Sequence, residues 1–111
     1  MTGYLLNTDG SVEPCSGKLH EEGDRNLSAL YEALGCSMVE RVVVEGGELW
    51  ADEEGLFKQP LVLNPTATAI CRGGQIVGRV YLRVRKGFTL NRAGEIVRAR
   101  TDGSPTKGLP V

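Results

Sequence analysis

The densest set of residues able to do chemistry lies late in the chain, in Arg79-Val80-Tyr81-Leu82-Arg83-Val84-Arg85-Lys86. Strict alternation predicts a strand with Val80, Leu82 and Val84 on one face. Arg79, Tyr81, Arg83 and Arg85 would share the other, with Lys86 beyond. Alternate residues on a strand stand about 7 Å apart, close to the spacing of adjacent phosphates along a nucleic-acid strand. Tyr81 among the arginines would offer a ring on which a base could stack. The row therefore reads as a nucleic-acid or nucleotide-binding surface. The competing readings are a solvated strand face and a face covered by the acidic part of the chain.

Other reactive residue types carry weaker signals. Asp52, Glu53 and Glu54 follow a predicted strand, and clustered carboxylates can bind a divalent cation or divide acid and base roles. This run lacks the alternating oxygen ligands of a calcium loop, and Gly55 favours a plain acidic turn. His20, the one histidine, sits in a polar stretch with no Cys–His signature around it. Cys15, Cys36 and Cys71 are odd in number and lack CxxC spacing, which argues against a disulfide framework or a zinc site. Three reduced thiols in a cytoplasmic protein are the expectation. Gly73-Gly74-x-x-x-Gly78 precedes a strand and lacks the Lys-Ser/Thr of a phosphate-binding loop. No catalytic residue, metal or cofactor is expected. Trp50 and Phe57 are expected in the core.

Turn chemistry and hydrophobic period predict the elements that position these residues. Asp9-Gly10 between short apolar runs predicts a hairpin with strands at about 3–7 and 11–15. Residues 16–23 read as a loop. Leu27, Leu30, Tyr31 and Leu34 recur at helical spacing, giving a helix from about Arg25 to Leu34. Asp24 or Asn26 would cap its start and Gly35 its end. Residues 38–45 and 48–52 predict a second hairpin around Gly46-Gly47. Asn64-Pro65 opens a short helix, which Gly73-Gly74 would end. Phe88–Leu90 and Glu95–Arg100 predict a third hairpin around Asn91–Gly94. Its Leu90-Asn91-x-x-Gly94-x-Ile96 repeats the spacing of Leu6-Asn7-x-x-Gly10-x-Val12. The fold class is α+β, a small mixed or antiparallel sheet of hairpins with one main helix and one short helix. Residues 1–100 read as a single domain and 101–111 as a flexible tail.

With 41% hydrophobic and 24% charged residues over 111 positions, the composition is that of an ordinary globular domain. No apolar run is long enough to span a bilayer, and the N-terminal residues do not read as a signal peptide. The net charge of −1 hides an asymmetry. Residues 1–57 carry twelve acids and three bases, a net of −9. Residues 58–111 carry ten bases and two acids, a net of +8, and the two together give −1. Such a split fits an anionic partner, halves that pack on each other, or subunits that pair through opposite charge.

Residues 39–84 also carry a pattern: a valine-rich hairpin, Trp50-Ala51-Asp52-Glu53-Glu54-Gly55, Leu63-Asn64-Pro65-x-Ala67-Thr68, and Ile76-Val77-Gly78-x-Val80. It resembles a family of small bacteriophage and bacterial proteins in which Asp-Glu-x-Gly precedes Leu-Asn-x-x-Ala-Thr and a glycine-containing final strand. Asp52, Glu53, Gly55, Asn64, Ala67, Thr68 and Gly78 occupy its motif positions. The resemblance implies a phage or mobile-element setting and supplies no activity. The expectation is a non-enzymatic binding protein, a phage accessory factor that engages a host protein in the host cytoplasm. The alternative is a nucleic-acid or nucleotide-binding module, signal-sequestering in one form, that uses residues 79–86. Self-association is open, and a small enzyme built on Asp52, Glu53 or Asn64 is the least supported reading.

Overall fold

Short alternating runs separated by turn residues fold here into paired strands. The computed structural model describes residues 2–15, 27–58 and 60–99. β1 (Thr2–Leu6) and β2 (Val12–Cys15) form the first hairpin, and α1 (Leu27–Leu34) follows. β3 (Val39–Val44) and β4 (Gly47–Asp52) form the second, and a 3₁₀ turn spans Gly55–Phe57. After α2 (Pro65–Cys71) come β5 (Val80–Val84) and a hairpin of β6 (Phe88–Leu90) and β7 (Ile96–Arg98). The predicted loop at 16–23, His20, the helix-capping Asp24 and Asn26, and the tail at 101–111 lie outside the described residues.

The main sheet has five antiparallel strands in the order β2-β1-β5-β4-β3, and β6-β7 forms a separate pair. This is the expected α+β class. β5 enters between two strands from the first half of the chain, so the basic segment is flanked by the acidic half. Tyr81 lies opposite Leu5 on one side and Trp50 on the other, and Arg83 lies between Gly3 and Glu48.

Each sheet face is packed. Leu6, Leu49, Ala51, Val80, Leu82 and Val84 bury one face with Ala67 of α2 and Ile76, and Phe88, Leu90 and Ile96 of the small hairpin lie against them. On the opposite face, α1 places Leu30 and Leu34 over Leu5, Trp50 and Tyr81. The helical spacing of α1 thus does what it predicted: it puts one apolar stripe on the sheet.

Two turns share one design. Asn7 N donates to Ser11 O at 2.9 Å and Gly10 N to Asn7 O at 3.0 Å; Asn91 N donates to Glu95 O at 2.9 Å and Gly94 N to Asn91 O at 3.1 Å. The repeated spacing in the sequence is therefore one turn used twice.

Two turn positions differ from expectation. The second hairpin turns at Glu45-Gly46, with Gly46 at φ 82°, and Gly47 is already the first residue of β4, opposite Val44. The left-handed backbone that closes the hairpin falls on the first glycine of the pair. α2 ends on Arg72, itself left-handed at φ 61°, whose N–H returns to Thr68 O. The glycines at 73 and 74 follow this cap and do not form it.

Candidate functional site

The residues of the basic strand have different fates because β5 is central. Tyr81 is only 1% exposed and packs under α1. A base cannot stack on it without unpacking the core, so the expected open row is interrupted at its only ring. Gly3 makes the room: a Cβ there would stand 2.7 Å from the Tyr81 hydroxyl and 2.8 Å from its ring. Burial pushes the Tyr81 phenol up to about 12. Arg79 is held by the acidic half. Its Nε donates to Asn7 Oδ1 at 2.9 Å, Nη1 to Ala33 O at 3.2 Å, and Nη2 to Glu13 Oε2 at 2.9 Å. Arg83 is half-buried within the sheet, whereas Arg85 and Lys86 are exposed at the strand's end.

The motif positions implied by the resemblance are placed for structural work. Asn64 is fully buried. Its Nδ2 donates to Leu6 O at 2.8 Å and Gly78 O at 2.9 Å, while Oδ1 accepts from Ala67 N at 3.0 Å and caps α2. Thr68 Oγ1 accepts from Ile76 N at 3.0 Å, and Ala67 is buried in the core. One side chain thus joins β1, α2 and the approach to β5. Asp52 Oδ1 accepts from Glu54 N at 2.9 Å, and its Oδ2 lies 2.6 Å from Lys58 Nζ. That ion pair raises the Lys58 ammonium. Glu53 is exposed, and Gly55 is buried against Val77. The acidic run is a closed turn, and no group of three metal-capable side chains occurs among the described residues. Burial pushes the Cys15 and Cys36 thiols up, which keeps them protonated at neutral pH.

The most anomalous surface adjoins that acidic turn. Phe57 is 86% exposed, against the core position expected of it, while Trp50 is buried as expected. Leu56, Leu61, Val62 and Leu63 are also exposed, so five large apolar side chains face solvent between positions 56 and 63. Backbone hydrogen bonds hold this stretch at Phe57, Val62 and Asn64. Phe57 N donates to Glu54 O at 3.0 Å, Gly78 N to Val62 O at 2.9 Å and Asn64 N to Ile76 O at 2.8 Å. Met38, also exposed, lies beside the turn because Glu53 N donates to its carbonyl at 3.0 Å. Exposed Glu53 and Glu54 lie just before the first two of these apolar residues. The sequence marks this segment only as apolar, and nothing in its spacing distinguishes a presented side chain from a buried one.

A concavity lies between the end of β3, α2 and β7. It is an open groove of about 1010 Å³, with Val44, Ile70, Phe88 and Ile96 among its apolar lining and Arg72, Arg98, Glu45 and Glu95 among its charges. Arg98 also lies over the Phe88 ring, 5.4 Å from its centroid. No helix among the described residues is long and apolar enough to cross a membrane. Comparison with protein-family models, with curated proteins and with solved structures finds no match to this chain. The functional reading therefore rests on the chain's own geometry.

Proposed function

We propose that the protein is a non-enzymatic binding module that docks a partner protein on the strip formed by Leu56, Phe57, Leu61, Val62 and Leu63. The observation that carries this reading is Phe57, 86% exposed on a hydrogen-bonded turn. Leaving a phenylalanine in water forgoes roughly 1.5–3 kcal/mol of burial, and clustered exposed apolar groups on a fixed backbone mark interaction surfaces. The turn is already ordered, so docking would cost little conformational entropy. Glu53 and Glu54, just before Leu56 and Phe57 in the chain, suit a partner with an apolar pocket and a cationic rim. In the phage setting that residues 39–84 imply by resemblance, this partner is a cytoplasmic host protein.

The test is affinity capture with the wild type and with Phe57→Ala, followed by a binding isotherm on the captured partner. An anchor of this type contributes at least about 2 kcal/mol, roughly 30-fold in Kd. Equal affinity of the two proteins would remove the strip from the interface.

A second reading keeps the basic end of the molecule. Arg85 and Lys86 are exposed, and Arg98, paired with Phe88 in the small hairpin, lies at the same turn. They could hold the phosphates of a nucleotide or nucleic acid without any base stacking. Such binding would weaken steeply with added salt, and Lys86→Glu would weaken it further. Absence of binding at low salt removes this reading.

A further inference from the structure

The strand order β2-β1-β5-β4-β3 leaves β2 and β3 as the two edges of the main sheet. Natural sheets blunt their edges with short strands, proline, bulges or charged side chains, lysine above all. β2 follows that rule: it has four residues and includes Pro14, which has no N–H to offer. β3 is less protected. It has six residues, Val39-Glu40-Arg41-Val42-Val43-Val44, with Glu40 and Arg41 charged but neither proline nor lysine. Val43 is 60% exposed.

The hairpin register says which groups are open. The two-residue turn makes Val44 and Gly47 a hydrogen-bonded pair. Val44, Val42 and Glu40 therefore direct their backbone groups to β4. Val39, Arg41 and Val43 direct theirs outward. Among the described residues, no backbone partner meets Arg41 or Val43 on that side. A groove lined by Val43, Val44, Ile70 and Ile96 adjoins this end of the strand.

We propose that the occupant of this edge is a second copy of the chain, pairing β3 with β3 antiparallel about a two-fold axis at Val43, so that two five-stranded sheets become one. Charge selects the register. Centring the axis on Arg41 would set two guanidinium groups against each other, and centring it on Val42 leaves each Arg41 opposite a valine. Centring it on Val43 sets Val43 against Val43 and Val42 against Val44, and brings each Arg41 toward the other copy's Glu45, the first residue of its hairpin turn. Opposite charges and β-branched pairs across strands are favourable, and like charges are not. A two-fold interface must be self-complementary in this way. Arg41 has capacity for the second carboxylate. Its Nε is committed to Glu48 Oε2 at 2.6 Å and its guanidinium carbon lies 6.0 Å from the centroid of the Trp50 ring, while its side chain is 54% exposed. Its two Nη groups carry four further N–H donors.

The experiment is sedimentation equilibrium of the full chain from micromolar to millimolar concentration. The wild type should be a dimer in this range. Val43→Lys, which places a charge at the axis on an already exposed position, should be a folded monomer with an unchanged circular dichroism spectrum. Glu45→Arg should weaken the dimer at least tenfold, and adding Arg41→Glu to it should restore association. Val43→Cys should form a disulfide between position 43 of one copy and position 43 of the other, identified by peptide mass spectrometry. A wild type that is monomeric up to millimolar concentration overturns the proposal. A dimer that survives Val43→Lys unchanged overturns it equally.

Discussion

Arg79 and Glu13 meet across the sheet, Nη2 to Oε2 at 2.9 Å, and join the start of β5 to the acidic first hairpin. Asn7 stands between them, donating to Glu13 at 2.8 Å and accepting from Arg79 at 2.9 Å. The contrast between a negative first half and a positive second half is thus partly internal. It also leaves Arg85 and Lys86 as the cations of the strand that face solvent.

This contact gives the fold an acid-sensitive edge. The Asn7 amide first, and then Arg79, hold the Glu13 carboxyl below its ordinary value of 4.5. The Ser11 hydroxyl and amide do the same for Asp9. A carboxyl depressed in the folded state stabilises the fold above its unfolded value, and that contribution is lost as pH falls through the folded value. Thermal melts taken from neutral pH down through the carboxylate range should therefore fall more steeply for the wild type than for Glu13→Gln. Parallel acid limbs would show that the contact does not bear on stability.

Asn64 should be the most sensitive polar position in the molecule. Asn64→Ala removes a helix cap and leaves the Leu6 and Gly78 carbonyls without their amide donor. A lost cap costs about 1 kcal/mol, and a buried unsatisfied group costs about 1–3 kcal/mol. Urea denaturation should show a loss of roughly 3 kcal/mol with an unchanged slope. A loss below about 0.5 kcal/mol, the size of a surface substitution, would contradict the role assigned to it.

Tyr81 should ionise late. Its phenol is raised from 10.0 to about 12 because the ring is buried. Its neutral form is the one the fold prefers. This contribution is therefore complete below the ordinary value and is lost as pH rises from there through the folded one. The difference in phenolate absorbance between the wild type and Tyr81→Phe should appear only near pH 12. A difference centred near 10 would place the ring in water.

Much of this architecture is legible in local sequence. Leu30 and Leu34 mark the buried stripe of α1. Asn64-Pro65 marks the start of α2, and the two Asn-x-x-Gly turns announce their hairpins. Each of these signals lies within a few residues of the structure it causes. The position of β5 does not. Its insertion between β1 and β4 joins segments far apart in sequence, and an alternating strand looks the same at an edge and at a centre. Tyr81 therefore reads as a surface ring until the helix above it is seen. Phe57 fails in the opposite direction. An apolar residue in a short turn has no period to say which way it points, and only its exposure in the fold shows that the turn presents it outward while Gly55 packs against Val77.

The docking strip is tested most directly by a photo-crosslinking amino acid placed at position 57. The probe would be expressed in the cell that naturally produces the chain. The same probe at exposed Arg92 serves as the control. Position 57 should give one discrete adduct with a different protein, lost when Leu61→Asp is added and absent from the control. No adduct at position 57, or an adduct only with another copy of this chain, would contradict partner binding through Phe57.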